Sequence, residues 1–224
     1  MSDERTALIA GASGLVGGHV LPRLLASPDY VRVIAVTRKR LALEHPKLTQ
    51  IVTPLDAVES AVAELGACVD DAFCALGTTI KIAGSQAQFR RVDFDYVVGF
   101  ARAAKAAGAK RFQLVSAIGA SAGSAIFYSR VKGEAEDAIS AIGFAALNIF
   151  RPGMLIGARA EPRPLEGIVG AMTPLLNPLM IGGAAVYRSI RGETVAEAMV
   201  AAALRGGDGR HVLTYREMAA LARG

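Results

Sequence analysis

Tryptophan is absent and cysteine nearly so: Cys68 and Cys74 are the only two in 224 residues. That excludes a disulfide framework and a four-cysteine zinc site, and it suits a reducing compartment, so the expected location is cytoplasmic. The three histidines, His19, His45 and His211, share no metal-ligand spacing, and no metal is expected. Charged residues are sparse, at 20% against 52% hydrophobic, which excludes intrinsic disorder. No basic run exceeds Arg38-Lys39-Arg40, so the net charge of +5 makes no nucleic-acid stripe. It suits an anionic small molecule at least as well, and no nucleic-acid partner is expected. The opening Met-Ser-Asp-Glu-Arg lacks a basic head followed by an apolar stretch, so no signal peptide is expected.

Formal charge is also missing from Gly167 to Tyr187, 21 positions, long enough to span a bilayer. Pro174, Asn177, Pro178 and the pair Gly182-Gly183 interrupt it, so the expectation is a short buried helix and a loop, with no membrane span. Any part left exposed would be a contact surface, which leaves monomer and homodimer both open.

What is present is alternation. Nearly continuous apolar runs occur at Ala7–Ala10, Val31–Val36, Thr49–Val52, Ala72–Leu76, Arg111–Ser116 and Ala145–Phe150. Such runs mark strands buried on both faces of a parallel sheet. Segments of helical length lie between them. Phe94, Val97, Val98 and Ala101 are spaced as one helix face, and Gly108 is placed to end that helix. Strands alternating with helices predict right-handed βαβ units and a doubly wound sheet within a single domain spanning 1–224. After Phe150 five prolines fall between Pro152 and Pro178, so Arg151 to Ile190 is read as a small lobe over the substrate side of the sheet. A helix near Thr194–Leu204, a strand near His211–Thr214 and a helix near Glu217–Ala222 complete the chain.

Gly11-Ala-Ser13-Gly14-Leu15-Val16-Gly17 follows the first run and opens a helix. The chain must turn sharply there while a phosphate approaches the backbone, and glycine permits both. The helix N-terminus adds free N–H groups and the positive end of its dipole. This position in a βαβ pattern predicts a Rossmann-like dinucleotide site. Pro22 falls inside the helix, with Gly18 at i−4 easing the clash. An NAD site places an acid at the end of strand two; this chain has Thr37-Arg38-Lys39-Arg40 instead. A guanidinium suits a 2′-phosphate, so NADP is expected over NAD, with Arg38 the best-placed residue and a merely solvated basic loop the alternative. Asp56, after strand three, is suited either to the adenine amino group or to capping the helix that starts near Val58.

Tyr128-Ser-Arg-Val-Lys132 places a phenol and an ammonium on one helix face. An ammonium beside a phenol favours phenolate and makes it a better proton donor or acceptor near neutral pH. Ser116 ends strand five, where a hydroxyl is able to hold a substrate oxygen.

These pieces together resemble an atypical short-chain dehydrogenase/reductase with a glycine motif like that of the extended class. Phe73-Cys-Ala-Leu-Gly-Thr-Thr79, Phe89-Arg-Arg-Val-Asp-Phe-Asp-Tyr96, Tyr128-Ser-Arg-Val-Lys-Gly-Glu134 and Phe150-Arg-Pro-Gly153 are similar to the branch containing the metastasis-suppressor Tat-interacting protein and its bacterial relatives. The resemblance implies that Gly11, Ser13, Gly14, Leu15, Val16 and Gly17 form the phosphate loop and that Arg38 meets the 2′-phosphate. It implies that Leu76, Gly77 and Thr78 pass along the cofactor ribose and that Pro152 and Gly153 lie beside the nicotinamide. Ser116, Tyr128 and Lys132 are implied as the catalytic set, with Lys132 also holding ribose. Asp93 stands where the wider family has asparagine; a carboxylate there either pairs with Lys132 or relays protons. The implied function is an NADP-dependent oxidoreductase on a small carbonyl or alcohol. A non-catalytic NADP-binding regulator is the alternative, and nucleotide-sugar epimerase or dehydratase chemistry a weaker one, because the part after residue 150 is short.

Overall fold

Strands and helices alternate in the computed structural model, which describes residues 4–157 and 188–223. Seven strands form one parallel sheet: β1 (Arg5–Ala10), β2 (Tyr30–Thr37), β3 (Leu48–Val52), β4 (Asp71–Cys74), β5 (Arg111–Val115), β6 (Ala146–Phe150) and β9 (Gly209–Leu213), in the order β3-β2-β1-β4-β5-β6-β9. The order reverses between β1 and β4, the crevice where such sheets bind ligands at the C-terminal ends of the strands.

The apolar runs are continuous because both faces of the sheet are covered. Along β1, Ala7 and Ile9 face one layer while Leu8 and Ala10 face the other. The first layer contains α1 (Gly17–Ala26), α7 (Gly192–Arg205) and α8 (Tyr215–Leu221), packed through Val20, Leu24, Met199 and Met218. The second contains α2 (Val58–Leu65), α5 (Tyr96–Ala106) and α6 (Phe127–Ile142), packed through Val62, Phe100 and Ile139. This is a doubly wound, Rossmann-like α/β fold. Gly108, at φ 97°, ends the α5 segment as its position in the sequence predicts.

Between β4 and α5 the structure is more broken than the periodicity suggests. Two short helices, α3 (Ile80–Ala83) and α4 (Gln86–Arg90), lead into a π-helical turn at Arg91–Asp95. Val97, Val98 and Ala101 are buried as expected, but Phe94 is only half-buried and lies under the Arg90 guanidinium, 4.5 Å from ring centroid to Cζ. The wider π turn shifts the register, which leaves Phe94 at the edge of the second-layer core and Asp93 buried.

A second, two-stranded parallel sheet pairs β7 (Leu155–Ile156) with β8 (Ile190–Arg191). Neither strand is signalled in the proline-dense stretch that contains them. Most of the expected 151–190 lobe, including Gly167–Tyr187, lies outside the described residues. Among the described residues no helix is long and apolar enough to cross a membrane.

Cys74, in the second layer, links packing to pH. Burial pushes its thiol up to about 12 from an ordinary value of 9.0. The folded state therefore holds this proton more tightly than the unfolded chain. Its contribution to stability is whole below about pH 9 and is lost as pH rises toward 12. Urea unfolding at pH 8 and pH 10.5 should show a marked loss of stability at the higher pH, and Cys74→Ala should lose less between the two.

Candidate functional site

The C-terminal ends of β1, β2, β4, β5 and β6 open into a cleft of about 1040 Å³. Its floor is the glycine turn. Gly11 has φ 84°, and a Cβ there would stand 2.5 Å from the backbone of Ala75 at the end of the neighbouring strand. Only glycine lets β1 turn this close to β4. The Gly14 N–H donates to the Gly11 carbonyl at 2.9 Å, and the Gly18 N–H to the Gly14 carbonyl at 2.8 Å, starting the coil of α1. No acidic residue stands in the first turn of α1 to oppose an anion. Gly11, Ser13, Gly14, Leu15 and Val16 all line the cleft. Gly17 does not: it is buried, and a Cβ there would stand 2.1 Å from the Gly11 carbonyl oxygen. Its missing side chain lets α1 come against the turn.

Arg38 projects at the end of β2, exposed and lining the cleft. Beside it the buried Thr37 Oγ1 has no hydrogen-bond partner among the described residues. An orphaned hydroxyl and an exposed guanidinium at this rim fit an adenosine ribose bearing phosphate. Leu55 and Tyr96 complete this end, and no local sequence signal marks Leu55. Tyr96 is the last residue of the Phe89-Arg-Arg-Val-Asp-Phe-Asp-Tyr96 segment.

Asp56 does not cap α2. It does not line the cleft, and α2 is capped at Ala57 without a side-chain bond. The 3₁₀ turn Leu55–Ala57 instead turns its carboxylate to Arg91, at 2.5 Å, and to the Tyr96 phenol. That phenol first, with Arg91 adding, holds the Asp56 carboxyl below its ordinary range.

At the other end, Tyr128 and Lys132 share the cleft-facing side of α6. The Tyr128 ring packs against Phe89 of α4 at 5.4 Å between centroids. Gly133 lets the preceding loop lie directly on α6, since a Cβ there would stand 2.1 Å from the Ser121 carbonyl carbon. Lys132 is buried and paired with Asp93, Nζ to Oδ1 2.7 Å. Burial pushes the ammonium toward losing its proton, but Asp93 and then Tyr128 outweigh burial and hold its pKa above the ordinary lysine value. The second Asp93 oxygen accepts the Thr78 N–H at 2.9 Å, tying the loop after β4 to the lysine. Gly77 lies over this pair: a Cβ there would be 3.4 Å from Asp93 Oδ1 and 3.6 Å from Lys132 Nζ. Leu76, Gly77, Thr78, Pro152 and Gly153 all line the cleft.

Ser116 also lines the cleft, but its hydroxyl donates to buried Glu136 Oε1 at 2.5 Å. Glu136 in turn accepts from Arg151 Nε at 2.9 Å. With its hydrogen directed inward, Ser116 offers the cleft lone pairs rather than a donor. The hydroxyl expected to hold a substrate oxygen is thus engaged by Glu136. The sequence hid this because Glu136 lies 20 residues away on α6.

A family model described as NAD(P)H-binding matches residues 11–205. Protein fmp52, mitochondrial, of Aspergillus clavatus is 39% identical over 168 residues, covering 72% of this chain and 71% of its own. Protein HTATIP2 of Rattus norvegicus is 38% identical over 167 residues, covering 73% and 68%. Among solved structures, the UDP-glucose 4-epimerase of Thermotoga maritima with UDP-glucose has a TM-score of 0.70 at 17% identity, covering 93% of this chain and 76% of that one. The Thermus thermophilus UDP-glucose 4-epimerase complex with NAD scores 0.68 at 17% identity, covering 97% and 81%. At that identity the likeness shows the fold alone.

Proposed function

The chain belongs to the NAD(P)H-binding family, in the atypical short-chain dehydrogenase/reductase branch, and on that premise we propose an NADP-dependent oxidoreductase acting on a small carbonyl or alcohol. The observation that carries this reading is a single cleft holding the glycine turn and Arg38 at one end and Tyr128 with Lys132 at the other.

NADP, when bound, supplies hydride transfer. The turn residues Gly11, Ser13, Gly14, Leu15 and Val16 receive the pyrophosphate, and Arg38 the 2′-phosphate. Tyr128 Oη gives its proton to the substrate oxygen in reduction and takes one in oxidation. Lys132 supports the phenolate and holds ribose, and Asp93 fixes the lysine. Ser116 donates its hydrogen to Glu136, so polarisation of the carbonyl rests on Tyr128.

Calorimetric titration should show NADPH bound at least tenfold more tightly than NADH, about 1.4 kcal/mol. Arg38→Ala should weaken NADPH by roughly ten- to a hundredfold, as expected for a charge-assisted bond of about 1.5–3 kcal/mol, and leave NADH nearly unchanged. Tyr128→Phe should abolish carbonyl-dependent NADPH oxidation while NADPH binding persists. A wild-type protein that binds neither nucleotide overturns the reading.

The engaged Ser116 and the neutralised Lys132–Asp93 pair favour a second reading, a non-catalytic NADP-binding regulator. It requires that no carbonyl stimulates oxidation and that Tyr128→Phe leaves partner binding intact. Cytoplasmic location and a monomeric or homodimeric state complete the proposal. The free Cys68 and Cys74 support a reducing compartment, whereas the fmp52 relatives are named as mitochondrial. Cell fractionation and sedimentation at several concentrations test these points.

A further inference from the structure

The charged residues lining the cleft, among those described, are three: Arg38, Asp93 and Lys132. Arg38 stands at the end of β2 beside Thr37, on the nucleotide side. Asp93 and Lys132 neutralise each other at 2.7 Å with side chains 0% and 8% exposed. No other described cation lines the cleft on the Tyr128 side; Lys81, exposed on α3, lies outside the lining. A substrate carrying a carboxylate or phosphate would give up its hydration without compensation.

What the mouth does offer is apolar. Ile82 on α3 and Met154 after Gly153 line the cleft while 45% and 43% exposed, and Ile126, two residues before Tyr128, is 67% exposed. Ile80, also on α3, is 40% exposed. Single exposed aliphatics are ordinary. Here, however, among the described residues four of the seven exposed large apolar side chains belong to α3, to the chain entering α6 and to the segment after Pro152. Those are the elements that also carry cleft-lining side chains.

We infer that the substrate is an uncharged, predominantly apolar carbonyl compound or alcohol, whose hydrocarbon part lies against Ile82 and Met154 while its oxygen meets Tyr128. This rests on the oxidoreductase reading above. It predicts that carboxylate and phosphorylated compounds are the poorer substrates.

The test uses the full chain loaded with NADPH. The kcat/KM for straight-chain aldehydes should rise roughly three- to fourfold per added methylene from butanal to heptanal, the value expected for burying each methylene. Benzaldehyde should exceed 4-carboxybenzaldehyde by at least tenfold. Ile82→Ser and Met154→Ser should flatten the chain-length dependence, chiefly through KM. A readout independent of turnover is the fluorescence of bound NADPH: heptanamide should perturb it at far lower concentration than propanamide. A flat dependence with good turnover, or a preference for the carboxylate, overturns this inference and leaves the oxidoreductase reading standing. If NADPH binds but no aldehyde is reduced and neither amide perturbs it, the oxidoreductase reading itself falls.

Discussion

Gly17→Ala is expected to lower Tm by roughly 10 °C and to weaken NADPH binding at least a hundredfold, whereas Gly18→Ala leaves both near wild type. The two substitutions are chemically identical and one residue apart in α1. A Cβ on Gly17 would stand 2.1 Å from the Gly11 carbonyl oxygen and 2.7 Å from its carbon, well inside contact distance with rigid backbone. Either α1 moves off the sheet or the phosphate turn opens. A Cβ on Gly18 would meet its nearest neighbour, the Ala12 carbonyl oxygen, at 3.7 Å, ordinary contact, and alanine favours the helix. A steric conflict of this kind costs about 3–5 kcal/mol, and in a chain of this size each kcal/mol is worth about 2–4 °C. Thermal unfolding and NADPH titration of both variants check the expectation. Equal behaviour of the pair would show that the helix does not need to approach the turn this closely.

Lys132→Met is expected to be the most damaging change to a single side chain of the cleft. It should abolish turnover and destabilise the fold by about 3–5 kcal/mol, because it leaves the Asp93 carboxylate buried without its counter-ion. Asp93 has nowhere to turn: it sits in the π-helical turn with one oxygen fixed by the Thr78 N–H. Asp93→Asn alone should cost less, since the one amide oxygen still accepts from the Thr78 N–H while Lys132, facing the amide NH2, is able to shed its proton and accept from it. Lys132→Met combined with Asp93→Asn should recover much of the stability but none of the turnover. Denaturant unfolding of the double-mutant cycle separates the two effects. Purely additive losses would mean that the pair, although 2.7 Å apart, is not energetically coupled.

Several features were legible because they depend on local chemistry. Glycine at positions 11 and 14, an arginine where an NAD site needs an acid, and a phenol four residues before an ammonium each state a physical requirement within a few residues. All of these side chains or backbones reach the same cleft. Other features depend on residues that only folding brings together. The Ser116 hydroxyl is claimed by Glu136, and Asp56 by Arg91, 35 residues away. The π turn at Arg91–Asp95 escaped the helical periodicity because its face differs from an α-helix by a single residue of register.

The sequence by itself determined the class of fold, the order of its elements and the place of the nucleotide turn. Apolar runs alternating with helices demand a parallel sheet covered on both faces, and only glycine tolerates the left-handed turn against Ala75. The tertiary structure decided the electrical state of the cleft. It neutralises Lys132 with Asp93, turns Ser116 away from donation and leaves isoleucine and methionine at the mouth. Burial and hydrogen-bond direction are properties of three-dimensional neighbours, and no spacing along the chain encodes them.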